Sequence, residues 1–226
     1  MVDLKGQYNH IKEQVNQSVL ETIESTMFIN GPKVKSFQDH LEKYLDVKHV
    51  IPCANGTDAL QIALMGLGLK PGDEVITADF TFAATVEVIS LLGLTPVLVD
   101  VDPKTFNIDL PAIEKVIGPK TKAIIPVHLF GQAADMEEIL ALANKYNLYV
   151  VEDNAQSIGA NYTFSDGSKK KTGTLGHVGT TSFFPSKNLG AYGDGGAIFT
   201  NDDQLAHTIR GMVNHAMYIR YQHDVV

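Results

Sequence analysis

The sequence predicts an α/β fold in which a mostly parallel, seven-stranded sheet lies between helices. From residue 48 onward, short apolar runs alternate with segments whose apolar residues recur every three or four positions. Strands and helices alternate in this way when a parallel sheet is covered on both faces. The chain has 226 residues, of which 44% are hydrophobic, and this is enough for one sizeable domain with its own core.

The first elements in the chain are helical. Five apolar residues recur at helical spacing and predict an amphipathic first helix: Tyr8, Ile11, Val15, Val19 and Ile23. Gly31-Pro32 then breaks the chain, and apolar residues across 34–44 predict a second helix. We therefore divide the chain into a helical segment, 1–30, and an α/β domain, 31–226.

The elements that follow alternate between the two types. Strands are predicted at 49–53, 74–78, 96–100, 122–127, 148–152, 179–184 and 196–200. Helices are predicted at 57–66, 82–92, 111–117, 134–146 and 203–213. The last two strands are joined by a glycine-rich stretch that is too short for a crossover helix, so we expect them to pair antiparallel.

Charge and composition exclude several classes of partner. The net charge is −8, and the one run of like charge, Lys169-Lys170-Lys171, lies in a turn-like setting that predicts a solvated loop. An acidic chain of this kind has no electrostatic footprint for nucleic acid. No apolar run approaches the thickness of a bilayer, so no membrane partner is expected.

The cysteine content and the N-terminus indicate a cytoplasmic protein. The single cysteine, Cys53, excludes an internal disulfide and is typical of a reducing compartment. It is expected to be a small buried apolar residue. Residues 1–7 contain no apolar stretch typical of a signal peptide.

Lys187 is the strongest candidate for chemistry. It follows Thr181-Ser182-Phe183-Phe184-Pro185-Ser186, an apolar strand that ends at a proline, and it precedes a glycine-rich segment, 190–196. A lysine delivered from the end of a buried strand loses solvation and can attack carbonyl groups. The alternative is an ordinary exposed loop lysine, the commonest setting for this residue.

Two further segments support the first interpretation. Asp153 ends a β-rich run, 148–153, and the carboxyl ends of strands are where open α/β sheets bind ligands. A buried aspartate there needs a cationic partner. The segment 49–60 reads as a strand, a turn and a helix that begins near Gly56 or Thr57, and the start of such a helix binds phosphate. A simple helix cap is the alternative for that turn.

Together these segments resemble the DegT/DnrJ/StrS family of nucleotide-sugar aminotransferases, which use pyridoxal phosphate (PLP). The matching segments are 55–60, 80–85, 152–157 and 182–190, with further matches at 2–5, 28–32, 126–132 and 193–196. The resemblance implies the fold-type I architecture of aspartate aminotransferase. It also implies that the small C-terminal domain of the family, with a carboxylate-binding arginine, is absent from this chain.

The resemblance implies a role for each matching residue. Lys187 would form the Schiff base with PLP and move the substrate proton as base and then acid. Asp153 would keep the pyridine nitrogen protonated, and Gln156 would donate to the ring hydroxyl. Phe82 would stack on the ring, although an aromatic residue at a helix start is more often part of a core. The phosphate ligands would be Gly56, Thr57 and Ser182.

The resemblance is closest to members that act on 3-keto sugars, the UDP-2-acetamido-2-deoxy-3-oxo-glucuronate aminotransferases of O-antigen and lipopolysaccharide synthesis. In that subgroup Thr26, Phe28 and Ser186 would contact the nucleotide-sugar, and glutamate would donate nitrogen. A homodimer with shared active sites is implied. A 4-keto-sugar aminotransferase and a PLP-binding chain without activity are the alternatives. Family members that dehydrate carry histidine in place of the lysine, and Lys187 disfavours them.

Other motifs do not account for the sequence. The segment 66–72 has the wrong glycine spacing for a dinucleotide-binding loop and follows a helical pattern rather than a strand. His128 has no partner at a metal-binding spacing, so we interpret it as a hydrogen-bonded histidine at a strand end, with no metal. A Rossmann oxidoreductase also leaves Lys187 unexplained.

Overall fold

The computed structural model describes residues 2–218, and the predicted order of elements is confirmed there. Its helices are α1 (Leu4–Ser25), α2 (Pro32–Leu45), α3 (Gly56–Gly66), α4 (Ala83–Leu91), α5 (Leu110–Val116), α6 (Met136–Tyr146) and α7 (Asp203–Met212), with a 3-10 turn at Leu129–Gly131. Its strands are β1 (His49–Cys53), β2 (Glu74–Ala78), β3 (Thr95–Val99), β4 (Thr121–Ile125), β5 (Tyr149–Asp153), β6 (Asn161–Thr163), β7 (Lys169–Lys171), β8 (Val178–Ser182) and β9 (Gly196–Thr200). The terminal stretch from residue 219, for which the sequence predicts no element, lies outside the described residues.

Seven of the strands form one mostly parallel sheet, as predicted. Their order is β1-β9-β8-β5-β4-β2-β3, and β9 runs antiparallel to both of its neighbours. The pairs from β8 to β3 are parallel. The antiparallel β8–β9 pair arises because the segment between the two strands has no room for a crossover helix.

Helices cover both faces of this sheet. One face packs against α3, α4 and α7 through a core that includes Leu64, Ile89 and Ile209. The other face packs against α5 and α6, and near β1 and β9 against α2. Successive strand residues such as Val75 and Ile76 enter opposite cores, which explains why these strands are apolar throughout rather than alternating.

The first helix forms as predicted, but its apolar face is exposed. The helix α1 forms as expected, but no residue of α1 is buried, and its side chains Val19 and Ile23 are 52% and 55% exposed. Its contact with the glycine-rich segment is an edge-to-face pair of Tyr8 and Tyr192, 5.9 Å between ring centroids. The amphipathic pattern predicts the helix correctly, but residues 2–218 do not cover its apolar face.

The triple-lysine segment was predicted as a solvated loop, and this is wrong. Lys169–Lys171 forms β7, which pairs antiparallel with β6. The hairpin is fixed to α6 by Tyr162, whose hydroxyl donates to Asp135 Oδ1 at 2.7 Å and accepts from the Glu137 N–H at 3.1 Å. Burial and the bond to Asp135 raise the pKa of Tyr162 to about 12. The lysine side chains at 169 and 170 are nonetheless exposed, as expected.

Candidate active site

A cavity of about 610 Å³ lies where β5 and β8 end and α3 begins. Carboxyl ends of parallel strands are the usual ligand sites of α/β sheets. The cavity is lined by eight of the residues singled out from the sequence: Gly56, Thr57, Phe82, Asp153, Gln156, Ser182, Ser186 and Lys187. Thr26 and Phe28 do not line it, because they follow the end of α1, and their contact with a substrate stays a prediction.

One end of the cavity is a cradle for an anion at the start of α3. Asn55 caps the helix by accepting from the Asp58 N–H at 2.8 Å, and among residues 2–218 the N–H groups of Gly56 and Thr57 have no acceptor. A Cβ at Gly56 would lie 2.7 Å from the Cβ of Ser182, so only glycine lets the helix start approach β8 this closely. Two free N–H groups, two hydroxyls and the helix dipole suit a phosphate.

Asp153 lies on the floor of the cavity with 5% of its surface exposed. Its Oδ2 accepts from the Thr85 hydroxyl at 2.8 Å, and its Oδ1 accepts from the Ala155 N–H at 3.1 Å. Burial raises the pKa of the Asp153 carboxyl, and the bonds from Thr85 and Ala155 oppose that rise. Within residues 2–218 this carboxyl forms no ion pair, so it is suited to a cationic ligand group.

A buried histidine–glutamate pair supports the strand that carries Asp153. Both side chains are fully buried, and His128 Nε2 donates to Glu152 Oε2 at 2.8 Å. The Glu152 carboxylate also accepts from three backbone N–H groups of residues 173–176, at 2.6–2.7 Å. His128 Nδ1 accepts from the Ala134 N–H at 3.0 Å, so the ring is neutral with its proton on Nε2. This agrees with a hydrogen-bonded strand-end histidine.

We predict that Glu152→Gln lowers the free energy of unfolding by about 1–3 kcal/mol for each buried N–H group that loses its acceptor. The amide places N–H donors opposite the backbone N–H groups that the carboxylate accepts from. Urea denaturation measures the change. Glu13→Gln, at an exposed position on α1, is the matched control and should alter stability by less than about 0.5 kcal/mol. Equal stability of the two variants would show that the network contributes nothing to the free energy of unfolding.

Lys187 enters the cavity from a tight turn after β8. Its backbone N–H donates to the Phe184 carbonyl at 2.8 Å, and a Cβ at Gly190 would lie 2.3 Å from the Pro185 carbonyl oxygen, so the turn requires glycine there. The side chain is half-buried. Its Nζ makes no ion pair and no hydrogen bond with any group in residues 2–218, which leaves the amine available to a ligand.

Gln156 and Phe82 complete the walls. Gln156 Oε1 accepts from the Phe130 N–H at 2.7 Å, so its amide Nε2 group is left to donate into the cavity. Phe130 adopts φ 54° and ψ 22°, a left-handed conformation that costs free energy for a residue with a side chain. Phe82 precedes α4 with its ring 67% exposed at the cavity, and is therefore not a core aromatic.

The structure adds residues that the sequence did not single out. Thr81, Asp58 and Asp194 also line the cavity, and the buried Thr85 contacts Asp153 beneath it. The segment 80–85 had been noted, but only Phe82 was given a role. The signal available was the pair of hydroxyl residues, Thr81 and Thr85, on either side of the start of α4.

The donor set of the cavity fits PLP. A dianionic phosphate matches the cradle at Gly56 and Thr57, and a protonated pyridine nitrogen matches the buried carboxyl of Asp153. A carbonyl carbon matches the free amine of Lys187. By contrast, residues 2–218 hold no cluster of three or more His, Cys, Asp or Glu side chains placed to bind a metal.

Comparisons with known proteins agree with this geometry. The DegT/DnrJ/EryC1/StrS aminotransferase family matches residues 9–226. A UDP-2-acetamido-2-deoxy-3-oxo-D-glucuronate aminotransferase of Pseudomonas aeruginosa is 50% identical over 98% of this chain and 60% of its own length. A UDP-N-acetyl-3-dehydro-alpha-D-glucosamine 3-aminotransferase of Acidithiobacillus ferrooxidans is 43% identical over 100% of this chain and 60% of its own.

Solved structures give the same result for the fold. A DegT DnrJ EryC1 StrS aminotransferase from Brucella abortus superposes with a TM-score of 0.93 at 44% identity, over 100% of this chain and 61% of that one. The Bacillus subtilis protein NtdA with bound cofactor PMP superposes with a TM-score of 0.86 at 35% identity, over 96% and 48%. The fold-type I architecture is thereby confirmed. The chain spans about 60% of the length of the curated relatives described above.

Proposed function

Because the chain belongs to the DegT/DnrJ/EryC1/StrS aminotransferase family, we propose that it transfers an amino group from glutamate to a nucleotide-linked keto-sugar, with PLP as cofactor. One observation carries the proposal: a single cavity holds a lysine amine and a buried aspartate, neither of them in an ion pair within residues 2–218, together with an anion cradle. When bound, the cofactor supplies an electrophilic carbonyl carbon and an electron sink. Residues 31–226 would form the cofactor-binding domain, with 1–30 as a helical segment.

Each wall of the cavity has a role in holding the cofactor. Gly56, Thr57 and Ser182 would bind its phosphate, with the backbone N–H groups of α3 neutralising charge. Phe82 would lie against the ring, and Gln156 would donate its amide N–H to the ring oxygen. Asp153 would accept a hydrogen bond from the ring nitrogen and keep it protonated, since a buried carboxylate is stabilised by such a cation.

Lys187 would act twice. Its amine would hold the cofactor covalently, and after release it would move a proton between the substrate carbon and the C4′ carbon of the cofactor, first as base and then as acid. Proton transfer by a positioned amine contributes on the order of 10²–10⁴-fold to a rate. The absence of an ion pair at Nζ within residues 2–218 supports this role, because the amine does not have to leave a carboxylate partner before it reacts.

We propose UDP-2-acetamido-2-deoxy-3-oxo-glucuronate as the sugar substrate, in the synthesis of O-antigen or lipopolysaccharide. The support is that both relatives named above act, by their names, on UDP-linked sugars with an oxo or dehydro group at C3. Ser186 lies in the cavity wall and would contact the sugar. Thr26 and Phe28 would reach the nucleotide-sugar from outside the cavity.

The experiment is to incubate the protein with PLP, glutamate and a panel of nucleotide-linked 3-keto and 4-keto sugars. We expect 2-oxoglutarate and an amino sugar from the 3-keto substrate. Preference for a 4-keto sugar would overturn the substrate assignment and keep the reaction. Formation of no 2-oxoglutarate from any sugar, by protein that retains PLP, would favour a binding protein without activity.

We also propose a homodimer that completes the active site. The apolar side chains of α1 and of the segment that follows it support this, since Leu20, Phe28 and Ile29 are 58%, 59% and 85% exposed. Large apolar side chains left this exposed are typical of an interface. Light scattering is expected to give twice the mass of the chain.

The reaction would take place in the cytoplasm. None of the helices within residues 2–218 has the length and apolar character needed to cross a bilayer. Burial raises the pKa of the Cys53 thiol to about 12, so this cysteine is a poor nucleophile. It packs against the core but is half-buried, whereas a buried residue was expected. Localisation of a tagged protein by fractionation tests the proposal.

Removal of the Thr57 and Ser182 hydroxyls is expected to weaken PLP retention. Each hydroxyl would donate to a charged phosphate, and such a bond is worth about 1.5–3 kcal/mol. Equilibrium dialysis of the Thr57→Ala/Ser182→Ala protein measures the loss. Ser90→Ala, on the exposed side of α4 and outside the cavity, is the control. An unchanged affinity in the double variant would place the phosphate elsewhere.

A further inference from the structure

Beneath the cavity, two threonine hydroxyls are linked to Asp153. Thr85 Oγ1 lies 2.8 Å from Asp153 Oδ2, and Thr81 Oγ1 lies 3.0 Å from Thr85 Oγ1. Thr85 is fully buried, whereas Thr81 is half-buried and lines the cavity wall. Thr81 lies just before Phe82, the N-cap of α4, and Thr85 lies in the first turn of that helix. We propose that Thr81 and Thr85 form a hydrogen-bonded relay that positions Asp153 and sets how strongly it holds a proton.

The direction of the relay follows from the number of hydrogens available. A hydroxyl has one hydrogen to donate, and Thr85 must donate it to an ionised Asp153, which can only accept. Thr85 then accepts from Thr81. A bond donated by one hydroxyl strengthens the next bond along such a chain, so Thr81 acts on Asp153 through Thr85.

Few other groups stabilise the ionised carboxylate of Asp153. Ala155 N–H donates to the other carboxyl oxygen, and Lys187 acts at a distance without forming an ion pair. His128 is the remaining titratable group that faces Asp153, but its Nδ1 accepts from the Ala134 N–H and the ring therefore carries no positive charge. The Thr85 hydroxyl is thus the side-chain donor on which the ionised form of Asp153 depends among residues 2–218.

The consequence for catalysis rests on the proposed function. If Asp153 pairs with the ring nitrogen of the cofactor, the proton between them would lie on nitrogen only while the carboxylate is well stabilised. Loss of the Thr85 hydroxyl would make Asp153 the stronger base, so the proton would move toward the carboxyl and the ring would lose its positive charge. Thr85 and Thr81 are therefore positioning residues, since neither side chain is required to touch the reacting atoms.

The test uses Thr85→Val, which keeps the side-chain volume and removes the hydroxyl. Its matched control is Thr77→Val, because Thr77 is equally buried and donates its hydroxyl to the Ile125 carbonyl at 2.9 Å, away from Asp153. In the cofactor-free protein, the carboxyl carbon of Asp153 is followed by NMR as pH is varied. We expect its titration to move to higher pH by about one unit in Thr85→Val, the equivalent of a tenfold change. The Asp153 titration should not shift in Thr77→Val.

The loaded protein supplies the second measurement. Thr85→Val should shift the long-wavelength absorbance band of the bound cofactor and lower kcat by about tenfold or more, with little change in KM. Thr85→Ser, which restores the hydroxyl, should recover both. Thr81→Val should show a smaller shift of the absorbance band than Thr85→Val does. The double variant should show the same shift as Thr85→Val alone.

The outcomes separate this inference from the proposed function. The relay would be refuted if Thr85→Val and wild type had the same Asp153 titration and the same cofactor spectrum. This conclusion would hold whatever the activity of the two proteins. If Thr85→Val fails to fold, Thr81→Val alone decides, because Thr81 is half-buried at the cavity wall. A wild-type protein that binds no PLP would reject the proposed function, while the NMR titration of the cofactor-free protein would still test the relay.

Discussion

Lys187→Ala is expected to abolish the covalent attachment of PLP and to lower turnover by on the order of 10³-fold or more. The amine would be both the attachment point and the proton carrier, and no other lysine lines the cavity among residues 2–218. Borohydride treatment of the wild-type protein should fix the cofactor on the peptide that contains Lys187, as read by mass spectrometry. The variant should give no modified peptide.

Two further variants make this result specific. Lys187→Arg keeps the positive charge, but a guanidinium stays protonated and cannot attack a carbonyl, so it should fail as Lys187→Ala does. Lys170→Ala removes an exposed lysine from β7 and should behave as wild type. PLP should still bind weakly to Lys187→Ala through the cradle at Gly56 and Thr57. A reducible adduct on another lysine of Lys187→Ala would refute the assignment.

The sequence predicts the strands of the large sheet well because these strands are buried on both faces. Continuous apolar runs such as 122–127 and 196–200 are unambiguous when helical segments separate them. The antiparallel β8–β9 pair was also predictable, since its short connection excludes a crossover helix. The hairpin of β6 and β7 was missed because it is fixed by bonds from Tyr162 to Asp135 and Glu137, which lie 27 and 25 residues away in sequence.

The candidate site was predictable only at residues whose type and position in the sequence indicate a chemical role. Lys187, Asp153 and the α3 start carry charge, a nucleophile or free N–H groups, and the structure brings them to one cavity. The left-handed Phe130 that orients Gln156 has no local sequence signal, because its conformation is imposed by the loop. The Thr85 contact spans 68 residues and depends on where the fold places the start of α4 relative to the end of β5.

Asp153→Asn is expected to have opposite effects on the stability of the protein without and with cofactor. Because burial raises the pKa of Asp153 above its ordinary value of 3.8, the folded apoprotein binds that proton more tightly than the unfolded chain does. The resulting stability is fully present below about pH 3.8 and is lost as pH rises through the folded value. At neutral pH the apoprotein of Asp153→Asn should therefore be the more stable, by about 0.5–2 kcal/mol.

With PLP the order should reverse, because a protonated ring nitrogen would pair with the wild-type carboxylate and not with an amide. Ligand binding adds stability in proportion to affinity, so the thermal shift on adding PLP should be larger for wild type. Turnover of Asp153→Asn should fall on the order of 10²–10³-fold, the cost typical of losing a fixed charge that stabilises a transition state. Thermal melts at neutral pH and near pH 4, with and without PLP, measure both effects. An apoprotein that is less stable as Asp153→Asn at neutral pH, or an unchanged turnover, would show that Asp153 is structural rather than the partner of the ring nitrogen.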